Sequence, residues 1–293
     1  MDTPASADQP LRIVLFVREP FALAGALQTI RELGHRVVAV LTSAGPPTRR
    51  SDGYQTIVQQ TPKNIDVIVS NFPARWAALI APYAPDLIVI ATFSWKVPPD
   101  VLAIPRIGTI NLHGAMLPNY RGRGDYALQT MFRNDDRHGY GATWHWVDDD
   151  FDTGPILAQQ IVPIEDDDDV MSLVGKLVTA SIATMPRAIS MAASGEPGTP
   201  QRDQGFYCGP LDPAWQTIDW NAPAREIHNQ VRAWFLTGAY ATIDEMEARI
   251  TRTRLVAGNA DATPGTVLSR DNGTLIVQCG DGPIQILEYA ERA

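Results

Sequence analysis

An alternation of short apolar runs with longer amphipathic stretches fills the first two hundred residues of this 293-residue chain. "LRIVLFV" at 11–17 reads as a buried strand, "FALAGALQTIRELG" as a helix closed by Gly34, and "HRVVAVLTS" as the next strand. After a loop rich in Pro, Gly and Arg come the strand "IDVIVS", the helix "ARWAALIAPYA", and the strands "DLIVIATF" at 86–93 and "IGTINLH" at 107–113. Parallel strands need crossovers, and strands apolar on both faces must be covered on both. The pattern therefore predicts an α/β fold with a Rossmann-like parallel sheet between helices. Ligands in such sheets bind beyond the carboxyl ends of the strands. Asn111 and His113 lie at one such end, and the loop after Phe93 at a neighbouring one.

Composition agrees with a buried core and narrows the partners. With 45% hydrophobic and 19% charged residues, the chain can bury one large core or two unequal ones. A net charge of -9 disfavours broad binding to nucleic acid, because a phosphate-tracking surface needs clustered Lys and Arg. The start "MDTPASADQP" is polar and acidic, and no apolar run reaches the roughly 20 residues that span a bilayer, so a cytoplasmic protein with no membrane partner is expected. Cys208 and Cys279 lie far apart with no metal-ligand spacing and read as buried free thiols.

Near the end of the alternation the pattern changes. "DDDDVMSLVGKLVTASIATMPRAISMAASG" reads as a helix entered from an acidic segment, followed by the linker "EPGTPQRDQG". Beyond it, one short helix, "PAREIHNQVRAW", precedes short strands punctuated by Gly, Asn and Asp, the pattern of a small OB-like β-barrel. The expected organisation is a disordered segment 1–10, a catalytic domain 11–205 and a C-terminal OB-like domain 206–293.

Three polar features stand out. The first is Asn111 and His113, two apart on a strand. The second is "GRGDYA" at 122–127, which fits the loose dinucleotide fingerprint but does not directly follow a strand, so Gly122 and Gly124 read as loop glycines. The third is the acidic turn in "WHWVDDDFDTGPILAQQIVPI", 144–164, flanked by extended apolar segments as in a hairpin. Taken singly, Asp152 is a turn former, His113 a core histidine and Asn111 a strand-end amide. Their joint occurrence says more.

"INLHGAMLPNYRG" followed by "FDTGPILAQ" resembles the signature of the formyltransferases that use 10-formyltetrahydrofolate, a family that includes methionyl-tRNA, glycinamide ribonucleotide and sugar N-formyltransferases. "IDWNAPAREIHNQVRAW" and "PGTVLSRDNGTLIVQCGDGPIQI" resemble the C-terminal domain found in some of its members. The resemblance implies Asn111, His113 and Asp152 as the catalytic residues. Formyl transfer to an amine passes through a tetrahedral intermediate, which needs a donor for the developing oxyanion and a base for the amine proton. Asn111 suits the first need and His113, oriented by Asp152, the second; no metal is required. The resemblance further implies a folate pocket formed by "IATFSWK" and "VDDDFD", with Ile90, Thr92, Phe93, Asp148 and Asp150 as contacts.

Departures from the family pattern fall in the loop that faces the acceptor. Ala115 stands where Ser is common, and "RGRGDY" replaces "RGAAP". Arg121, Arg123 and Asp125 are therefore the expected acceptor contacts. The leading expectation is an N-formyltransferase for the primary amine of a small molecule, an amino sugar nucleotide or an amine-bearing amino acid. A methionyl-tRNA formyltransferase is second, favoured by the C-terminal similarity and disfavoured by the acidic charge and by a short loop carrying only Arg49 and Arg50. A non-catalytic folate- or RNA-binding protein is third; an intact Asn111, His113 and Asp152 argues against it.

Overall fold

The computed structural model describes residues 9–47, 50–202, 205–259, 261–271 and 273–291. The segment 1–10 expected to be disordered lies outside them as far as residue 8, as does Arg49. In chain order the elements are β1 (Arg12–Val17), α1 (Pro20–Glu32), β2 (Arg36–Thr42), α2 (Gly53–Gln60), β3 (Asp66–Val69), α3 (Trp76–Ile80), β4 (Leu87–Thr92), α4 (Pro99–Leu102), β5 (Gly108–Ala115), β6 (Arg121–Gly122) and α5 (Gly124–Arg133). They continue with β7 (Tyr140–Trp146), β8 (Ile156–Ile161), α6 (Val170–Ala193), β9 (Tyr207–Cys208), α7 (Ala224–Ala233), β10 (Ala239–Ile243), β11 (Met246–Leu255), β12 (Val267–Asp271), β13 (Thr274–Gln278) and β14 (Pro283–Glu291).

Two compact units emerge. The first takes residues up to 122, 141–162 and 176–207; the second takes 123–140, 163–175 and the chain from 208. Residues 123–140 and 163–175 thus group with the C-terminal part of the chain, where their contacts include α7 and the turn before it. Arg133, in the last turn of α5, lies over the Trp215 ring at 5.6 Å, and Asn229 of α7 donates to Asp135 at 2.9 Å. Asp166 draws Arg137 and Arg225 to one carboxylate.

The sheet of the first unit runs β3-β2-β1-β4-β5-β7-β8. Its first five strands are parallel, as the alternation predicts, and β7 and β8 form an antiparallel pair. The two-residue period of the strands sorts side chains between two layers. Ile13, Leu15, Val17, Val40, Leu87, Val89 and Ile110 pack with Leu23, Ala26 and Ile30 of α1 and with Met185, Ala188 and Ile189 of α6. Val14, Phe16, Ala39, Leu41, Ile88 and Ile90 face the other way and pack with Trp76 and Ile80 of α3 and with Val101 of α4. Trp76 is fully buried and meets Phe16 and Phe93 edge-on at centroid distances of 6.1 and 5.3 Å. Truncating such a residue to Ala costs roughly 3–5 kcal/mol. The expected helix "ARWAALIAPYA" is shorter than its pattern: α3 passes into a 3-10 turn at Ala81–Tyr83, where Pro82 has no N–H with which to continue the ladder.

The second unit holds a five-stranded antiparallel sheet in the order β10-β11-β14-β13-β12. Ile227 and Val231 of α7 bury against Ala239, Ile250, Val277, Ile284 and Ile286 of that sheet. Cys208 and Cys279 are free and buried. No helix among the described residues is long and apolar enough to cross a membrane.

Candidate active site

Strand alternation alone brings Asn111 and His113 to one face of β5, near its carboxyl end. The segment after β5 then folds back on the imidazole: His113 Nε2 lies 2.7 Å from the Tyr120 carbonyl, which can only accept, so Nε2 carries the hydrogen. The lone pair of the neutral ring is thereby left on Nδ1. It faces Asp152 Oδ2 at 3.6 Å, and His113 is only 5% exposed.

Asp152 comes from the turn between β7 and β8, where its backbone is left-handed at φ +57°. Gly154, two residues on, has no room for a side chain: a Cβ there would lie 1.9 Å from the Trp146 carbonyl oxygen. The turn thus closes tightly and points the carboxylate back to β5. Gly122 N–H donates to Asp152 Oδ2 at 2.8 Å, and Gly122 has φ +100° with Tyr207 packed where a Cβ would be. Both motif glycines are therefore explained by backbone geometry around one carboxylate.

Burial, the largest influence, pushes the Asp152 carboxyl up, but the charges that His113 and His145 carry when protonated, a hydrogen bond from His145 in that form, and the Gly122 N–H outweigh it and hold the carboxyl down to about 2. Burial is also the largest influence on His113; it pushes the imidazole down, opposed by Asp152 and the Tyr120 carbonyl. At neutral pH the pair is a carboxylate facing a neutral imidazole. That arrangement accepts a proton at Nδ1 and stabilises the resulting imidazolium.

A fourth side chain, absent from the sequence expectation, completes the cluster. His145 on β7 is 2% exposed, and its Nδ1 lies 2.7 Å from the Trp146 carbonyl, which places the hydrogen there. Its Nε2 is then an acceptor for the Asn111 side-chain N–H at 3.1 Å, and it also lies 3.5 Å from Asp152 Oδ1. This fixes which end of the Asn111 amide is nitrogen, and it leaves that amide a second N–H. The sequence sign of His145 is a polar residue between two tryptophans in a largely apolar strand. Gln201 was also passed over, lying in a segment that reads as a linker; its Nε2 donates to the carbonyls of Asp152 and Gly154 at 3.0 and 2.7 Å.

The other expected contacts are distributed differently. Ile90 is buried, and Phe93 packs 5.2 Å from Phe16. Thr92 Oγ1 accepts from the backbone of Arg18 and Glu19. Asp148 accepts from the Thr153 hydroxyl at 2.6 Å and Asp150 from Phe151 N at 2.7 Å. Arg121, in β6, has a buried Nε with no partner among the described residues. Arg123 and Asp125 belong to the second unit and hold each other through two bonds of 3.2 and 2.8 Å, with Arg123 also bonded to the Tyr126 hydroxyl. No group of three or more His, Cys, Asp or Glu suited to a metal occurs among the described residues.

Comparison with known proteins places this geometry in context. Residues 11–189 match the formyl transferase family model and residues 210–292 the formyl transferase C-terminal domain model. The methionyl-tRNA formyltransferase of Pelobacter propionicus is 33% identical, with 94% of this chain and 88% of the relative covered. That of Thiobacillus denitrificans is 29% identical over 95% and 91%. Among solved structures, HypX from Aquifex aeolicus in complex with tetrahydrofolic acid aligns with a TM-score of 0.69 at 18% identity, over 97% of this chain and 45% of that one. An N-formyltransferase from Helicobacter canadensis, in complex with folinic acid and dTDP-3-aminofucose, aligns with a TM-score of 0.65 at 17% identity, over 96% and 100%. At such identities the two structures speak to the fold alone. The family matches cover both halves of the chain, and on them the protein belongs to the formyl transferase family and is a formyltransferase.

Proposed function

We propose that this enzyme moves the formyl group of 10-formyltetrahydrofolate to the primary amine of a small molecule, an amino sugar nucleotide or an amine-bearing amino acid. The observation that carries the reading is the imidazole of His113, with its Nδ1 lone pair 3.6 Å from Asp152, on the same strand face as the Asn111 amide. In this mechanism Asn111 donates its remaining N–H to the formyl oxygen as the amine nitrogen bonds to the formyl carbon. His113 Nδ1 takes the proton that the amine sheds, and Asp152 stabilises the imidazolium. His113 then returns that proton to the leaving nitrogen of tetrahydrofolate as the old carbon–nitrogen bond breaks. Removing one oxyanion donor of this kind costs roughly 100 to 1000-fold in rate.

For the donor, the segments holding Ile90, Thr92, Phe93, Asp148 and Asp150 remain the proposed folate contacts. Since their side chains are packed or bonded within the protein, the contact is made through backbone groups. For the acceptor, Arg121 is the first choice, because a guanidinium whose buried Nε has no partner among the described residues suits a phosphate or carboxylate. Arg123 and Asp125 stay as candidates on their position in the chain beside Gly122.

Transfer to methionyl-tRNA is the second reading, favoured by curated relatives of that name along 94 and 95% of the chain. The net charge of -9 weighs against a nucleic-acid acceptor. Mass spectrometry of amino sugar nucleotides, amino acids and charged initiator tRNA, each incubated with 10-formyltetrahydrofolate and enzyme, separates the two. A formyl gain on a small amine supports the first reading; a gain on the charged tRNA alone replaces it with the second.

A further inference from the structure

Gln201 lies in the stretch "EPGTPQRDQG", which the sequence presents as a linker, yet this stretch is tied to the candidate site. Thr199 and Ile156 exchange backbone hydrogen bonds of 2.8 and 2.7 Å, which sets the following residues alongside the turn that carries Asp152. Gln201 then directs both N–H bonds of its amide at that turn, one to the Asp152 carbonyl at 3.0 Å and one to the Gly154 carbonyl at 2.7 Å. Two carbonyl acceptors fix the orientation of the amide, since the flipped form would set oxygen against oxygen. The Oε1 atom is buried with no partner among the described residues. An unpartnered buried acceptor is costly, and an apolar side chain of similar size would avoid that cost. The two donated bonds are what the amide offers in return, and they bracket Thr153 in a turn where Asp152 is left-handed.

We propose that Gln201 is a positioning residue that holds the Asp152 turn so that its carboxylate stays against His113 Nδ1. The proposal rests on reading Asp152 and His113 as the pair that handles the proton. The groups facing the His113 ring are the Asp152 carboxylate, the His145 imidazole and the Tyr120 carbonyl. Of these, the one that Gln201 touches through its backbone is Asp152. If the turn relaxes and the carboxylate withdraws, His113 loses the charge that favours its protonated form.

The test is side-chain nitrogen NMR of the histidines in the full chain, titrated with pH, for wild type, Gln201→Ala, Gln201→Met and Asp152→Asn. Gln201→Met keeps the bulk of the side chain and covers the case in which the Ala variant does not fold. We expect Asp152→Asn to move the His113 titration to lower pH and both Gln201 variants to move it in the same direction by a smaller amount. Thermal melting should stay near wild type for the Met variant. Where an acceptor is in hand, kcat should fall roughly tenfold or more, as displacement of a reacting group by part of an ångström does. If His113 titrates in both Gln201 variants as in wild type while Asp152→Asn shifts it, the positioning role is overturned and the pair stands. If Asp152→Asn leaves His113 unmoved, the pair and the role of Gln201 fall together.

Discussion

At the residue scale, the contrast between Arg121 and Asp125 is the most direct consequence of the structure. Arg121 has a buried Nε with no partner among the described residues, whereas Asp125 is engaged by Arg123 through two bonds. Removing a guanidinium that meets an anionic acceptor forfeits that contact, while Asp125 already commits its carboxylate to Arg123 within the protein. Arg121→Ala should therefore raise the acceptor KM by roughly tenfold or more and leave the folate KM nearly unchanged, and Asp125→Ala should have the smaller effect on the acceptor. Steady-state kinetics with each substrate varied in turn checks this, and the reverse order would return the acceptor to Asp125. Asn111, His113 and Asp152 stand out in the sequence because a two-residue spacing on a strand and an acidic turn are local patterns, while the roles proposed for them come from the resemblance of those segments to the formyltransferases. The sequence could not reveal His145, Gln201 or the Tyr120 carbonyl, which enter the site through pairings 34, 49 and 7 residues apart in the chain.

Among the elements, the β7–β8 connection governs the site most directly. Gly154 sits where a Cβ would fall 1.9 Å from the Trp146 carbonyl oxygen, so any side chain there pushes apart the backbone that presents Asp152. Gly154→Ala should lower the melting temperature and reduce transfer together, unlike a change confined to the chemistry. Thermal melting beside turnover tests it, and an unchanged melting temperature with full activity would show that the turn does not need glycine. The parallel strands were readable because continuous apolar runs leave few alternatives. Three helices were not, among them α4, a single turn of four residues. The Gly-rich start of α5 reads as loop, although Ala127, Leu128, Met131 and Phe132 form its buried face, and α2 buries only Ile57, too little to show a period. The supposed linker after α6 lacks any apolar pattern, and its ties to the rest of the fold include polar ones, the backbone bonds of Thr199, the Gln201 amide and the Glu196 carbonyl that accepts from Trp146 Nε1.

Across the whole molecule, stability carries a pH dependence that follows from a buried imidazole. His228 donates from Nε2 to the Asp166 carbonyl and accepts at Nδ1 from the Thr253 hydroxyl. Burial first, then the charges of Arg232 and Arg225, push it down from 6.5 to about 4 against the opposing influence of Asp166. A group whose folded pKa is lowered binds fewer protons in the fold than in the unfolded chain. Its contribution is fully present above 6.5 and is lost as pH falls through 4. Melting temperature should decline across that window, and His228→Gln should make the decline shallower; an identical slope in the variant would assign the loss elsewhere. The two-unit organisation was only partly legible, because the segments 123–140 and 163–175 join the second unit through Arg133, Asp135, Arg137 and Asp166, whose partners lie far along the chain. The central claim is that Asn111, His113 and Asp152 transfer a formyl group to a small amine. Its most direct test is the mass of that amine after incubation with 10-formyltetrahydrofolate and wild type, His113→Ala or Asp152→Ala, each variant matched for melting temperature. The account predicts a formyl gain with wild type and a loss of most transfer in both variants. Near wild-type turnover in either variant, or no gain on any small amine with wild type, would contradict it.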